Sequence, residues 1–232
     1  PSQDTDNELE IIYWSKREKA NDVLISNSGK KITQLAPGSI IGTSSIRRRA
    51  QVLSLRNDLN IKLLRGNVDT RLNKLKNKEY DAIILSHAGL KRMGLIDEVT
   101  EVLDLKIFLP AACQGVVVAQ ARKNFMLKKM FTEISNDISE IESTAERLVL
   151  KKINANCNSP ISVYAKITGS EIAIECEVFE HEGTKIFQKS LSADKNDFKE
   201  LSISLANEII SSIGQEKINE LDILKDDFTY KA

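Results

Sequence analysis

Cysteine, histidine and proline are scarce in these 232 residues, at three, two and four copies. Cys113, Cys157 and Cys176 are odd in number, widely spaced and without a C-x-x-C pair, and only His87 and His181 could join them. Neither a disulfide framework nor a zinc site is expected. Unpaired thiols fit a reducing compartment, so the expected location is the cytoplasm. No apolar run approaches the length of a membrane span, and the polar, acidic start Pro1-Ser2-Gln3-Asp4-Thr5-Asp6 is unlike a signal or transit peptide, so no membrane role is expected. Net charge is lacking as well. Lys+Arg and Asp+Glu both total 33, and no global basic field supports a nucleic-acid partner.

Arginine, by contrast, is concentrated in two places. Gly42-Thr43-Ser44-Ser45-Ile46-Arg47-Arg48-Arg49 and Leu64-Arg65-Gly66-Asn67-Val68-Asp69-Thr70-Arg71 each begin as an apolar, strand-like run, break at small or turn-forming residues and open into a helical pattern. A helix N-terminus exposes unpaired N–H groups and the positive end of its dipole, and guanidiniums beside it add paired donors for carboxylate or phosphate. Cations there oppose the dipole, so they are tolerated best with an anion among them. Two such turns in succession suggest a ligand with several negative charges. The competing reading of each turn is a solvated basic face.

The first half of the chain alternates strand and helix. Ile11 to Trp14 and Ser39 to Ile41 read as strands, Ser44 or Ser45 as the N-cap of a helix through Leu55, and Asn60 to Leu64 as the next strand. Val68 to Lys76 reads as a helix, Tyr80 to Leu85 as a strand buried on both faces, and Val116 to Ala119 as a further strand. Short connections imply βαβ units and a parallel sheet, whose ligands bind beyond the carboxyl ends of the strands. Both arginine turns fall at that end. After an amphipathic helix from Ser139 to Ile153 the pattern becomes consecutive strands, Ile161 to Ile167, Ile172 to Phe179 and Lys185 to Leu191, closed by a helix from about Lys195 to Ile213. A separate small α+β domain from near residue 136 is expected.

Several segments carry a specific resemblance. They are Gly42-Thr43-Ser44-Ser45-Ile46-Arg47-Arg48, Leu64 to Leu72, Tyr80 to Leu85 with Ala88-Gly89-Leu90-Lys91-Arg92, Gln114-Gly115, and Asn156-Cys157-Asn158-Ser159-Pro160-Ile161 with Tyr164-Ala165. In order and spacing they resemble the hydroxymethylbilane synthases, also called porphobilinogen deaminases. The resemblance covers nearly the whole chain. It implies an α/β fold with periplasmic-binding-protein-like doubly wound domains and a small C-terminal α+β domain. The implied activity joins four porphobilinogen units head to tail, with release of ammonia, and frees hydroxymethylbilane by hydrolysis. The implied full-length enzyme is monomeric, with porphobilinogen as its only partner.

By the same resemblance Ser45, Arg47, Arg48 and Arg71 hold carboxylates of a dipyrromethane cofactor, and Arg65, Arg71 and Arg92 lie along the substrate and growing chain. Each pyrrole carries an acetate and a propionate, so the arginines have a polyanion to bind, and planar guanidiniums fix its orientation better than lysines would. Cys157 resembles the family cysteine that anchors the cofactor through a thioether, chemistry that suits a thiolate. Cys113 and Cys176 are read as small hydrophobes, and His87 as structural.

Three positions depart from the family pattern: Cys113, where a small residue is usual, Asp69, and Gln120, where an acidic residue is usual. The His-Ser-x-Lys-Asp motif, whose aspartate is the family's general acid, does not occur. The expectation is an inactive fragment, largely free of cofactor, with that acid upstream of Pro1, and Asp22 is not assumed to replace it. Its parts would be 1–19 as a remnant of domain one, 20–109 as domain two, 110–135 as a return segment of domain one, and 136–232 as domain three carrying the cysteine. The alternative from another functional class is a non-catalytic small-anion binding module of the same fold.

Overall fold

A computed structural model describes residues 8–156 and 158–222. In chain order the elements are β1 (Leu9–Trp14), β2 (Asp22–Ser26), β3 (Ile40–Thr43), α1 (Ile46–Leu55), β4 (Asn60–Leu63), α2 (Val68–Lys76), β5 (Ala82–Ser86), α3 (His87–Arg92), β6 (Glu101–Val102) and β7 (Val118–Arg122). They continue with α4 (Lys128–Glu133), α5 (Asp137–Lys152), β8 (Ile161–Thr168), β9 (Glu171–Phe179), β10 (Lys185–Asp194), α6 (Phe198–Ile213) and α7 (Gln215–Leu221). The helix starts follow side-chain capping. Ser45 accepts from the Arg48 N–H, Asn67 from Thr70 and Asn136 from Ser139, each satisfying one of the donors a first turn leaves open.

The central sheet has the order β4-β3-β5-β2-β6. Apolar side chains of β2 and β5 alternate between its faces: Leu24 and Ile84 join Ile41, Val52 and Phe108 in one core, while Val23, Ile25, Ile83 and Leu85 join Leu64, Leu72 and Leu90 in the other. Burial on both faces explains why β5 is an unbroken apolar run. β3 runs parallel to β4 and β5, as expected, but β2 is antiparallel to both β5 and β6, so the sheet is mixed rather than wholly parallel. The difference comes from Asp22–Ser26, a short run that no helix links to a parallel neighbour.

Two extended segments lead out of this sheet side by side. The Glu18 N–H donates to Gly115 O at 3.0 Å and the Ser15 N–H to Val117 O at 2.8 Å. Gly115 lies at φ +91, and a Cβ there would collide with Glu18 O, so the close approach requires glycine. Beyond the crossing, β1 and β7 pair antiparallel as a two-stranded sheet.

The third sheet, β10-β9-β8, is an antiparallel meander whose inner face, including Val163, Ala165, Ile172, Ile174 and Val178, packs with Ala145 and Val149 of α5 and Leu205 and Ile209 of α6. Its other face is polar and docked. There Arg17 lies over the Tyr164 ring, 5.4 Å from the centroid, and pairs with Glu146 at 2.7 Å and Glu142 at 3.3 Å. At the β9–β10 turn, a Cβ on Gly183 would stand 2.6 Å from Ser54 N. That turn is seated directly on the backbone at the end of α1.

Candidate anion-binding site

The parallel strands β3 and β5 end at Thr43 and Ser86, and the helices that follow begin there. Because β2 runs the other way, its first residue comes to the same end: Asp22 pairs in register with Ser86. A carboxylate is thus placed, fully buried, beside the first turn of α1.

Both oxygens of Asp22 are engaged. Oδ2 accepts from Arg47 Nη2 at 2.8 Å, and Oδ1 accepts from Arg48 Nε at 3.1 Å, Arg48 Nη2 at 2.7 Å and Gln114 Nε2 at 3.0 Å. Burial alone would raise this carboxyl, but the charges and hydrogen bonds of Arg47 and Arg48 outweigh it and hold Asp22 below the usual carboxylate range. Asp22 is therefore not a free acid.

Arg47 and Arg48 are adjacent in sequence and differ in role. Arg47 is 4% exposed; beyond Asp22, its Nη1 donates to Gln51 Oε1 at 2.8 Å and Leu109 O at 2.9 Å. Gln51 carries the network onward, donating to Leu109 O at 2.8 Å and Ser162 Oγ at 3.2 Å, so α1 is tied to β8. A carboxylate reaches Arg47 only if this network opens. Arg48 is half-buried and adds one bond, from Nη1 to Ile84 O at 3.2 Å. Among the described residues, three of its five N–H groups then have partners.

The remaining expected residues are spread around this centre. Ser45 Oγ caps α1, and the Ser45 N–H donates to Thr43 Oγ1 at 3.1 Å. Arg71, on α2, donates from Nε to Gly66 O at 2.8 Å, and burial together with the charge of Arg48 pulls it below the usual arginine range. Arg65 is exposed at the end of β4. Arg92 is attached to the crossing instead, its Nη2 donating to Gly115 O at 3.3 Å. The structure joins Arg47 and Arg48 through Asp22 with Ser45 at the N-cap of the same helix, while Arg71 stands on α2, Arg65 is exposed at the end of β4, and Arg92 bonds to the residue that follows Gln114. Asp22, Gln51 and Gln114 complete the group. Of these Gln114 carried a sequence signal, through the Gln114-Gly115 motif, and Asp22 could have been found as a charge directly before the apolar run Val23-Leu24-Ile25.

Cys157 lies outside the described residues. Next to it, Asn156 Nδ2 donates to Asp222 Oδ2 at 2.9 Å and the Asn158 N–H to Asn156 Oδ1 at 2.7 Å. The other thiols are inert by environment. Burial pushes Cys113 up to about 12, with its Sγ 3.6 Å from Ser143 O, and burial raises Cys176 further inside the third core. His87 is buried, and burial with Lys19 and Lys91 draws it below the usual histidine range. Asp69 is exposed in the first turn of α2, and Gln120 is exposed on β7 opposite Ile11. Among the described residues no group of three or more His, Cys, Asp or Glu could hold a metal ion, and no helix is long and apolar enough to cross a membrane.

Known proteins resemble this chain in sequence. A family model described as "Porphobilinogen deaminase, dipyromethane cofactor binding domain" matches residues 2–128, and one described as "Porphobilinogen deaminase, C-terminal domain" matches residues 140–211. A porphobilinogen deaminase of Clostridium beijerinckii is 40% identical over 203 residues, 88% of this chain and 69% of that protein. That of Francisella tularensis subsp. novicida is 40% identical over 212 residues, 90% of this chain and 69% of its own length. That of Clostridium kluyveri is 38% identical over 213 residues, 90% and 73%.

Proposed function

Since the chain belongs to the porphobilinogen deaminase family, we propose that its arginine cluster binds the carboxylates of pyrroles as porphobilinogen units are joined head to tail into hydroxymethylbilane. The reaction class is a transferase of tetrapyrrole synthesis. The observation that carries the reading is the sharing of one carboxylate, Asp22, by two guanidiniums at the ligand end of the sheet. Positive charge is left over next to a helix N-terminus, where an anion is favoured.

A dipyrromethane cofactor fits these donors: the Ser45 hydroxyl, the terminal nitrogens of Arg48 and the guanidinium of Arg71 suit its acetate and propionate groups. When bound it supplies the pyrrole to which substrate units are added. Within this reading Ser45, Arg48 and Arg71 orient it, Arg47 fastens the cluster from within, and Arg65 and Arg92 attend the lengthening polyanion. Cys157 is its anchor through a thioether. The burial that keeps Cys113 and Cys176 protonated supports that choice.

The finer description of the fold belongs to the same proposal. The five-stranded sheet and its helices are read as a periplasmic-binding-protein-like unit over 20–109, β1 and β7 as parts of another in 1–19 and 110–135, and 136–232 as the unit bearing the cysteine. The assigned setting is the cytoplasm, with the full-length enzyme a monomer.

Intact-mass measurement after incubation with porphobilinogen or with preformed hydroxymethylbilane tests the assignment. In a chain extended at its N-terminus by a segment with the family's His-Ser-x-Lys-Asp motif, a dipyrrole adduct is expected with all three cysteines present, in Cys113→Ser and in Cys176→Ser, and none in Cys157→Ser, because a serine hydroxyl is scarcely ionised and is a poorer soft nucleophile. An adduct that survives Cys157→Ser overturns the anchor.

A further inference from the structure

Arg48 meets Asp22 edge-on. Its Nε and Nη2 both point at Oδ1, at 3.1 and 2.7 Å, and Nη1 reaches Ile84 O at 3.2 Å. A guanidinium carries one hydrogen on Nε and two on each terminal nitrogen, so one N–H remains on Nη1 and one on Nη2. Those two nitrogens form the fork that grips both oxygens of a carboxylate. The opposite edge is pinned by a residue that cannot itself swing away. Asp22 is fully buried, lies in register on β2, and is held through Oδ2 by Arg47 and through Oδ1 by Gln114 from the crossing segment.

We infer that Asp22 is a positioning residue for ligand binding: it fixes the Nε edge of Arg48 so that the Nη1/Nη2 fork is already oriented for a pyrrole carboxylate. This deepens the proposed function and rests on it for the identity of the ligand. The advantage is pre-organisation. An arginine side chain left to itself loses rotamer freedom when it grips an anion, and one locked beforehand does not. The arrangement also links the site to the chain crossing, since Gln114 donates both to Asp22 and to Ala20 O.

Two readouts separate this role from a purely structural one. The first needs no ligand: the Arg48 Nε–H, identified in a nitrogen-edited proton spectrum by its loss in Arg48→Lys, is expected to exchange slowly in the unaltered chain. In Asp22→Asn it is expected to exchange at least about tenfold faster. The second is calorimetric titration with porphobilinogen. Asp22→Asn is expected to weaken binding about tenfold when Arg48 is present and to have no further effect in Arg48→Gln, because its influence passes through that side chain. Unchanged protection of the Nε–H, or equal weakening in both backgrounds, overturns the inference. If the unaltered chain does not bind porphobilinogen, the proposed function fails, while the exchange measurement still decides the role of Asp22. Should Asp22→Asn not fold, Asp22→Glu keeps the charge but moves it by one methylene. The same faster exchange and weaker binding are expected there, and full retention of both properties overturns the inference.

Discussion

Among the described residues two arginine–carboxylate clusters are buried with differing proportions. At the ligand end of the central sheet Arg47 and Arg48 share Asp22, whereas against the third sheet Arg17 is the buried cation facing Glu142 and Glu146, with the exposed Lys166 ammonium 3.6 Å from Glu142. The acid surplus of the second cluster is met by the backbone: Glu142 accepts from the Ile167 N–H at 2.9 Å, and Glu146 from Ala165 at 2.8 Å and Cys113 at 2.5 Å. Amide donors are available wherever a strand or turn passes, so such a surplus can be absorbed inside the fold. The cation surplus of the first cluster takes up the carbonyls of Leu109 and Ile84 and still leaves two N–H groups on Arg48. A closed cluster serves the fold, and an open one is completed from outside.

The widest gap between the two should appear in stability. Glu146→Ala leaves Arg17 with Glu142 as its buried carboxylate and strands the Ala165 and Cys113 N–H donors, and a loss of about 3–5 kcal/mol is expected in urea denaturation. Porphobilinogen binding by the protein that remains folded should be unchanged. Weakened binding would show that the closed cluster is not closed functionally.

Arg48→Leu is the converse test. Porphobilinogen affinity should fall by about one to two orders of magnitude, since a hydrogen bond to a charged group contributes roughly 1.5–3 kcal/mol. Stability should fall less than in Glu146→Ala, because Asp22 keeps Arg47 and Gln114. Normal affinity in this variant would remove Arg48 from the site.

Acid titration gives the smallest effect and the sharpest sign. Asp22 is held below its ordinary value, so its contribution to stability is present above about pH 4 and is lost as pH falls. Burial raises Glu146 above its ordinary value, so its contribution is present at lower pH and is lost as pH rises through the raised value. Urea midpoints followed from about pH 3 to about pH 7 should therefore lose part of their acid decline in Asp22→Asn and part of their decline with rising pH in Glu146→Gln. Identical profiles in the two variants would mean that the clusters are not electrically opposite.

Much of this was legible along the chain because it is local. Ser45 announces α1, the apolar run through Leu85 announces a two-faced strand, and alternation announces β8 to β10. Neither β2 nor β6 was read as a strand, and the antiparallel sense of β2 was not legible, since its partners β5 and β6 come from far along the chain and no local pattern records their direction. Nor could the sequence separate Arg47 from Arg48. Successive helical residues point about 100° apart, and which of two neighbours turns inward depends on Gln51, Leu109 and Asp22 converging on one of them. Likewise the short helix α3 follows β5 without a break and shows too few turns for periodicity to be read.

Helix α1 touches the cluster with its first turn and the β9–β10 hairpin with its last, where Gly183 meets the backbone of Leu53 and Ser54. It behaves as a gauge block. Ten residues long, it sets a spacing of about 15 Å between the anion end of one sheet and the foothold of another. Angle is gauged along with length, because Gln51 must leave the helix on the side where Ser162 waits. Lengthening α1 by one residue would advance the hairpin by about 1.5 Å and turn it by about 100°, so a change far from any arginine would misalign the two halves of the molecule.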